Sequence, residues 1–197
     1  MMTTQPQWPD LARTLVARDE RARAHRALLV RGLLSPTEID MERHVDRADA
    51  QVLRRIVRAH GWPGKTLVGE DGAEAAWHLA LHADYDPDLQ QLALGLLVSA
   101  VEEGGATIQQ WAHLRDRCSV SAGQPKVFGT QHCRSPAGIQ MLPTQDPDHL
   151  DARRASVGLP PHYVACEALR QRHRREPESE QSRDDERARP ALVGSAA

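Results

Sequence analysis

Between His60 and Asp84 the chain reads HGWPGKTLVGEDGAEAAWHLALHAD, with three histidines, two tryptophans and four carboxylates in close succession. Two kinds of chemistry are compatible with that content. Glu74, His78 and His82 recur at four-residue spacing, which puts them on one face of a helix. Imidazole and carboxylate groups so placed can ligate a divalent cation. The string is not HExxH and the spacing secures no further ligand, so a solvated helix face is the better expectation and no metal centre is assigned. His82 followed by Asp84 is the second case. A carboxylate can fix an imidazole's tautomer and raise its basicity, as a general base requires. Equally, Asp84 and Asp86 can cap helices while His82 bonds a backbone carbonyl; the residues alone leave both open.

Further polar groups lie downstream. Asp116-Arg117 closes a helical stretch, where an arginine suits the helix dipole. Gly129-Thr130-Gln131 offers backbone N–H groups, a hydroxyl and an amide in a compact segment that could bind a carboxylate or amide substrate; by itself the string is better read as a hairpin end with ordinary turn chemistry. His132 and Cys133 are sequence neighbours, and on a strand they point to opposite faces, which disfavours a nucleophile pair made from these two. The basic run RQRHRRE at 170–176 is followed at once by acidic residues and carries no interleaved aromatics, so it reads as a solvated helix end and not as a nucleic-acid contact.

The whole chain has 197 residues and a formal net charge of −2, enough for one domain with a sizeable core and no global field toward nucleic acid or a membrane surface. Phe128 is the only phenylalanine, so the core must be built from Leu, Val, Ala and Ile, which suits packed helices. Three cysteines without a CxxC pair argue against a disulfide framework or a zinc ribbon. No run approaches the roughly 20 apolar residues of a membrane helix, and the first residues lack the pattern of a signal peptide. A cytoplasmic protein is the expectation.

These side chains need helices to position them. A first helix is expected within residues 1–34, stopped at Gly32. Ser35-Pro36 with Glu38 forms a capping-box start for a second, ending at Gly61 with a possible break near Arg43. Residues 62–71 read as a turn-rich connector, 72–84 as a helix, Asp86-Pro87 as the cap of the next, and Thr107 as the cap of a fifth. After Cys118 two short extended pieces around Ala122-Gly123 suggest a hairpin, with a third strand or loop to follow. Two short helices split near Gly158 close the fold. The expected architecture is mainly α: a single helical domain with two or three short strands within 119–142, divided into an N-terminal helix (1–34), a helical core (35–173) and a disordered charged tail (174–197).

Several of these strings also occur together, and in the same order, in a bacterial family known only as a domain of unknown function, which the chain resembles over about residues 45–163. Gly61-Trp62-Pro63, then Gly69, Gly72, Ala73, Ala76 and Trp77, then His82, Asp84, Asp86 and Pro87, match its first three motifs. Asp116-Arg117, Gly129-Thr130-Gln131 and Arg153-Arg154 match the rest. Phe128 stands where that family carries tyrosine, Lys126 where it carries glutamine, and His78 where it is apolar. The resemblance implies no established activity. It does imply a polar set that packing explains poorly, and the candidate roles follow from it: His82, Asp84 and Arg117 as catalytic groups, with Trp62, Thr130, Gln131 and Arg153 as substrate-binding groups. A small-molecule enzyme of hydrolase or transferase type is the leading expectation, with any cofactor left open. A non-catalytic helical module that binds a protein through Trp62 and Trp77 is the alternative.

Overall fold

The computed structural model describes residues 6–135 and 138–175. The order is α1 (Pro9–Val30), α2 (Pro36–His60), α3 (Lys65–Leu81), α4 (Pro87–Glu102), α5 (Ile108–Ser121), β1 (His132–Ser135), β2 (Gly138–Met141), a 3-10 turn at Pro147–His149, α6 (Leu150–Ser156) and α7 (His162–Arg175). The protein is mainly α with one two-stranded antiparallel hairpin, in which His132 pairs with Met141 and Cys133 with Gln140. Among the described residues no helix is long and apolar enough to cross a membrane. The expected disorder of the tail falls, for residues 176–197, outside the described residues.

Local chemistry sets the helix starts. Ser35 accepts from the Glu38 N–H while the Glu38 carboxylate accepts from the Ser35 N–H, a complete capping box. Thr107 and Gln110 form a second. Asp86 caps α4 by accepting from the Leu89 N–H at 3.1 Å and also holds Arg54 of α2 through both carboxylate oxygens. No break occurs near Arg43, and α2 runs unbroken to His60.

The expected connector at 62–71 is helical from Lys65 onward, kinked at Gly69, whose φ of 73° a side chain would resist. Just beyond the kink, a Cβ on Gly72 would come within 2.8 Å of Val68 and 3.3 Å of the Ala12 main chain. The small residues after it, Ala73, Ala75, Ala76 and Ala80, are all buried. This stripe lets α1 lie close along α3 and places Ala12 and Leu15 in the main core with Leu53, Val68, Leu79, Leu89, Leu97 and Leu114. Gly72→Val should therefore cost roughly 1–3 kcal/mol by overpacking, read as a lowered thermal midpoint; an unchanged midpoint would mean that the two helices do not meet there.

The chain after Cys118 departs from expectation. α5 continues to Ser121 and ends at Ala122-Gly123, so no strand precedes Gly123, and the hairpin lies at 132–141. Residues 127–131 form an irregular turn, with Phe128 packed against Ala112 and Val157 in a second small core.

Candidate functional site

The irregular turn is shaped by one buried carboxylate. Asp116, on α5 and fully buried, accepts from the N–H groups of Val127 (2.7 Å), Phe128 (2.9 Å) and Thr130 (2.7 Å) and from the Thr130 hydroxyl (2.9 Å). Four donors on two oxygens fix the backbone against strand pairing. From the other side two arginines of α6 hold the turn's carbonyls. Arg153 donates to Val127 O at 2.9 Å and Arg154 to Phe128 O at 2.6 Å. Thr130 and Arg153 are thus spent on the turn itself.

The turn delivers Gln131 to the C-terminal end of α3. Arg117 grips Asp84 with Nε at 2.7 Å and with Nη2, and its Nη1 donates to Gln131 Oε1 at 3.3 Å. Gln90 of α4, fully buried, donates to Leu81 O at 3.2 Å and to Asp84 at 3.3 Å, and accepts from the Ser121 hydroxyl. Asp84, Arg117 and Gln131 are therefore brought together. Asp84 is engaged by Arg117 and Gln90, not by His82. Trp62 is elsewhere: it is 8% exposed and lines a cavity of about 300 Å³ with His60, Thr66, Ser99 and Glu103. Trp77 is part-buried and donates its indole N–H to Gln110 O. Neither tryptophan stands out as an exposed anchor.

His82 ends α3, and its ring makes no hydrogen bond among the described residues. Burial, followed by the guanidiniums of Arg26 and Arg117, pushes its pKa down to about 3, against a smaller upward pull from Asp84. The imidazole is neutral at ordinary pH. His78 does not share a ligand face with it; it turns to Asp19 of α1, Nδ1 to Oδ2 at 3.0 Å, and leaves Glu74 at 4.0 Å. Among the described residues no group of three His, Cys, Asp or Glu is placed to hold a metal ion.

Arg26 belongs to a set of charges that the sequence reading missed. Asp19 is buried beneath Arg23 (3.0 Å), Arg26 (3.7 Å) and His78. Asp49, equally buried, holds Arg18 and Arg21. Asp46 is raised by burial first and then by Glu42, while Arg26 is lowered by burial against the pull of Asp19 and Asp46. Glu42 in turn faces His25 at 4.0 Å. Perturbed acids and bases gathered in one place are a mark of functional sites. A signal existed in the sequence. Asp19, Arg23 and Arg26 on α1, and Glu42, Asp46 and Asp49 on α2, each recur at i, i+4, i+7, the spacing of a buried stripe.

No curated protein and no solved structure gives a significant match to the chain. The family match is broad, extending past both ends of the stretch of resemblance and taking in α1 with its buried Asp19 as well as most of α7. Over residues 9–172 the chain matches, and therefore belongs to, the family of unknown function DUF6624.

Proposed function

We propose that the chain is a small-molecule enzyme of hydrolase or transferase type, acting on an anionic substrate at the C-terminal end of α3. The observation that carries this reading is His82: a largely buried, neutral imidazole without a hydrogen-bond partner among the described residues, under the influence of two guanidiniums from different helices. Such surroundings favour an incoming negative charge. Arg117, which already holds a carboxylate in bidentate fashion, is the natural anchor for a substrate carboxylate or phosphate in exchange with Asp84. Gln131 supports that guanidinium.

A pKa near 3 makes the resting imidazole a weak base. An anion bound beside Arg26 and Arg117 offsets their repulsion of the imidazolium and lifts His82 toward the range in which it accepts a proton. Substrate binding thus switches the base on. Asp46, whose pKa burial raises, lies near Arg26 on the α2 side. In this reading Thr130 and Arg153 position the turn, Trp62 packs in the core, and none of the three contacts substrate.

The test is an NMR titration of the His82 ring with and without acetate or inorganic phosphate. The anion should raise its pKa by about one to three units, and Arg117→Gln should abolish the response. An imidazole indifferent to both anions would end the proposal.

A further inference from the structure

Where α7 meets the 127–131 turn, a second group of reactive side chains lies apart from His82. Cys166 Sγ is 3.4 Å from His162 Nε2, one helical turn away on α7. Cys166 is 6% exposed. Two buried cations act on the thiol electrostatically, Lys126 (0% exposed) and Arg154 (2%). Lys126 donates to Gln131 O at 2.7 Å. Asp116, the carboxylate with the largest pull on that ammonium, already accepts four hydrogen bonds from the turn. Asp151 is the leading counter-charge to Arg154, ahead of Cys166 and Asp116, while Asp116 and then Cys166 act on Lys126, so the sulfur lies within the field of both cations. Burial first, and then Arg154 and Lys126, push the His162 pKa down against a smaller upward pull from Asp151, so its resting imidazole is a weak base; negative charge developing on the sulfur 3.4 Å away offsets that repulsion and favours transfer of the thiol proton to Nε2.

We propose that Cys166 and His162 form a thiol–imidazole pair that reduces hydrogen peroxide, with Lys126 and Arg154 stabilising the thiolate. The proton passes from Sγ to Nε2. The sulfur attacks one peroxide oxygen and the O–O bond breaks. Cys166 becomes a sulfenic acid, oxidised by two electrons, and the departing hydroxide takes the proton from His162 and leaves as water. Electropositive surroundings and a proton acceptor are what make a cysteine reactive, whereas an apolar buried thiol is inert. Cys118 is the inert comparator within the same chain: it is buried, and burial raises its pKa. The near-complete burial of Cys166 excludes a bulky reagent. The proposal is independent of the anion site at His82.

Folded C133S protein, which lacks the exposed thiol, is treated with hydrogen peroxide, the residual peroxide is removed with catalase, the protein is then unfolded in denaturant containing dimedone, and adducts are located by mass spectrometry. The adduct should appear on Cys166 and not on Cys118, faster than on free cysteine in the same solution. A bulky maleimide should leave folded Cys166 unlabelled. Adding His162→Gln should slow adduct formation by roughly a hundredfold, the scale of a lost proton acceptor. Reaction of Cys166 no faster than free cysteine, or an undiminished rate in the folded His162→Gln variant, would overturn the proposal; the first comparison needs no substitution at the pair itself.

Discussion

Replacing Asp116 by alanine should destabilise the fold by about 3–5 kcal/mol, the range for removing one partner from a buried charged network. Three backbone N–H groups and the Thr130 hydroxyl lose their acceptor together, and each buried donor left unpaired carries a desolvation cost. Lys126 and Arg154, buried nearby, lose a counter-charge as well. At the usual scaling for a chain of this size, the thermal midpoint should fall by about 10 °C. Asparagine is a sharper probe. It retains one carbonyl oxygen, but on one side it presents N–H groups to donors, so Asp116→Asn should recover only part of the loss. Denaturant unfolding of both variants measures this; an alanine variant within about 1 kcal/mol of the parent would show that the turn is held by something else. Loss of the turn also removes Gln131 from Arg117, so any anion response of His82 should vanish along with the stability.

Acid should weaken the fold well above the range of carboxylate titration. In the unfolded chain His82 takes a proton near pH 6.5, and in the folded chain only near pH 3. Between those values the unfolded state binds a proton that the native state refuses, so stability is fully present above pH 6.5 and falls as pH falls through that window. At pH 5 the loss from this one group is about 2 kcal/mol. His113 and His162, also lowered by burial, add to it with the same sign. Asp46 opposes it, because a carboxyl with a raised pKa favours the folded state as pH falls. Unfolding free energy measured from pH 7.5 to pH 4.5 should decline, and His82→Gln should flatten the decline. A profile of unchanged slope in that variant would show that His82 is not the group refusing the proton.

The helical frame was legible because its signals are local. The Ser35 and Thr107 capping boxes, the Asp86-Pro87 start and the Gly61 stop are decided by residues a few positions apart. The meeting of Asp84, Arg117 and Gln131 could be anticipated only as a possibility, since it joins three segments across the fold. What was misread was decided at longer range. Residues 127–131 carry strand-forming types, yet Asp116 takes the N–H groups that a ladder would use, and the hairpin starts at His132 instead. Asp116 itself read only as the acidic neighbour of a helix-ending arginine. On α1 the run ARDERARAHR is so charged that one face must be solvated, and Glu20, Arg21 and Arg23 are exposed there. It is partly interior: Asp19 is 2% exposed. His162 and Cys166 share a helix face at i, i+4 and meet, whereas the adjacent His132 and Cys133 lie on a strand that turns neighbours to opposite faces.

The way α1 meets α2 has a consequence for how the protein can vary. Asp49 is held by two arginines of α1, and Asp19 is covered by two more and by His78. Removing one member strands a buried charge, whereas exchanging acid and bases together for apolar residues of similar volume need not cost anything. Viable change at this seam therefore has to arrive in matched sets. Across relatives of this chain the acids of α2 and the bases of α1 should be inherited or lost as a block, each helix recording the history of the other.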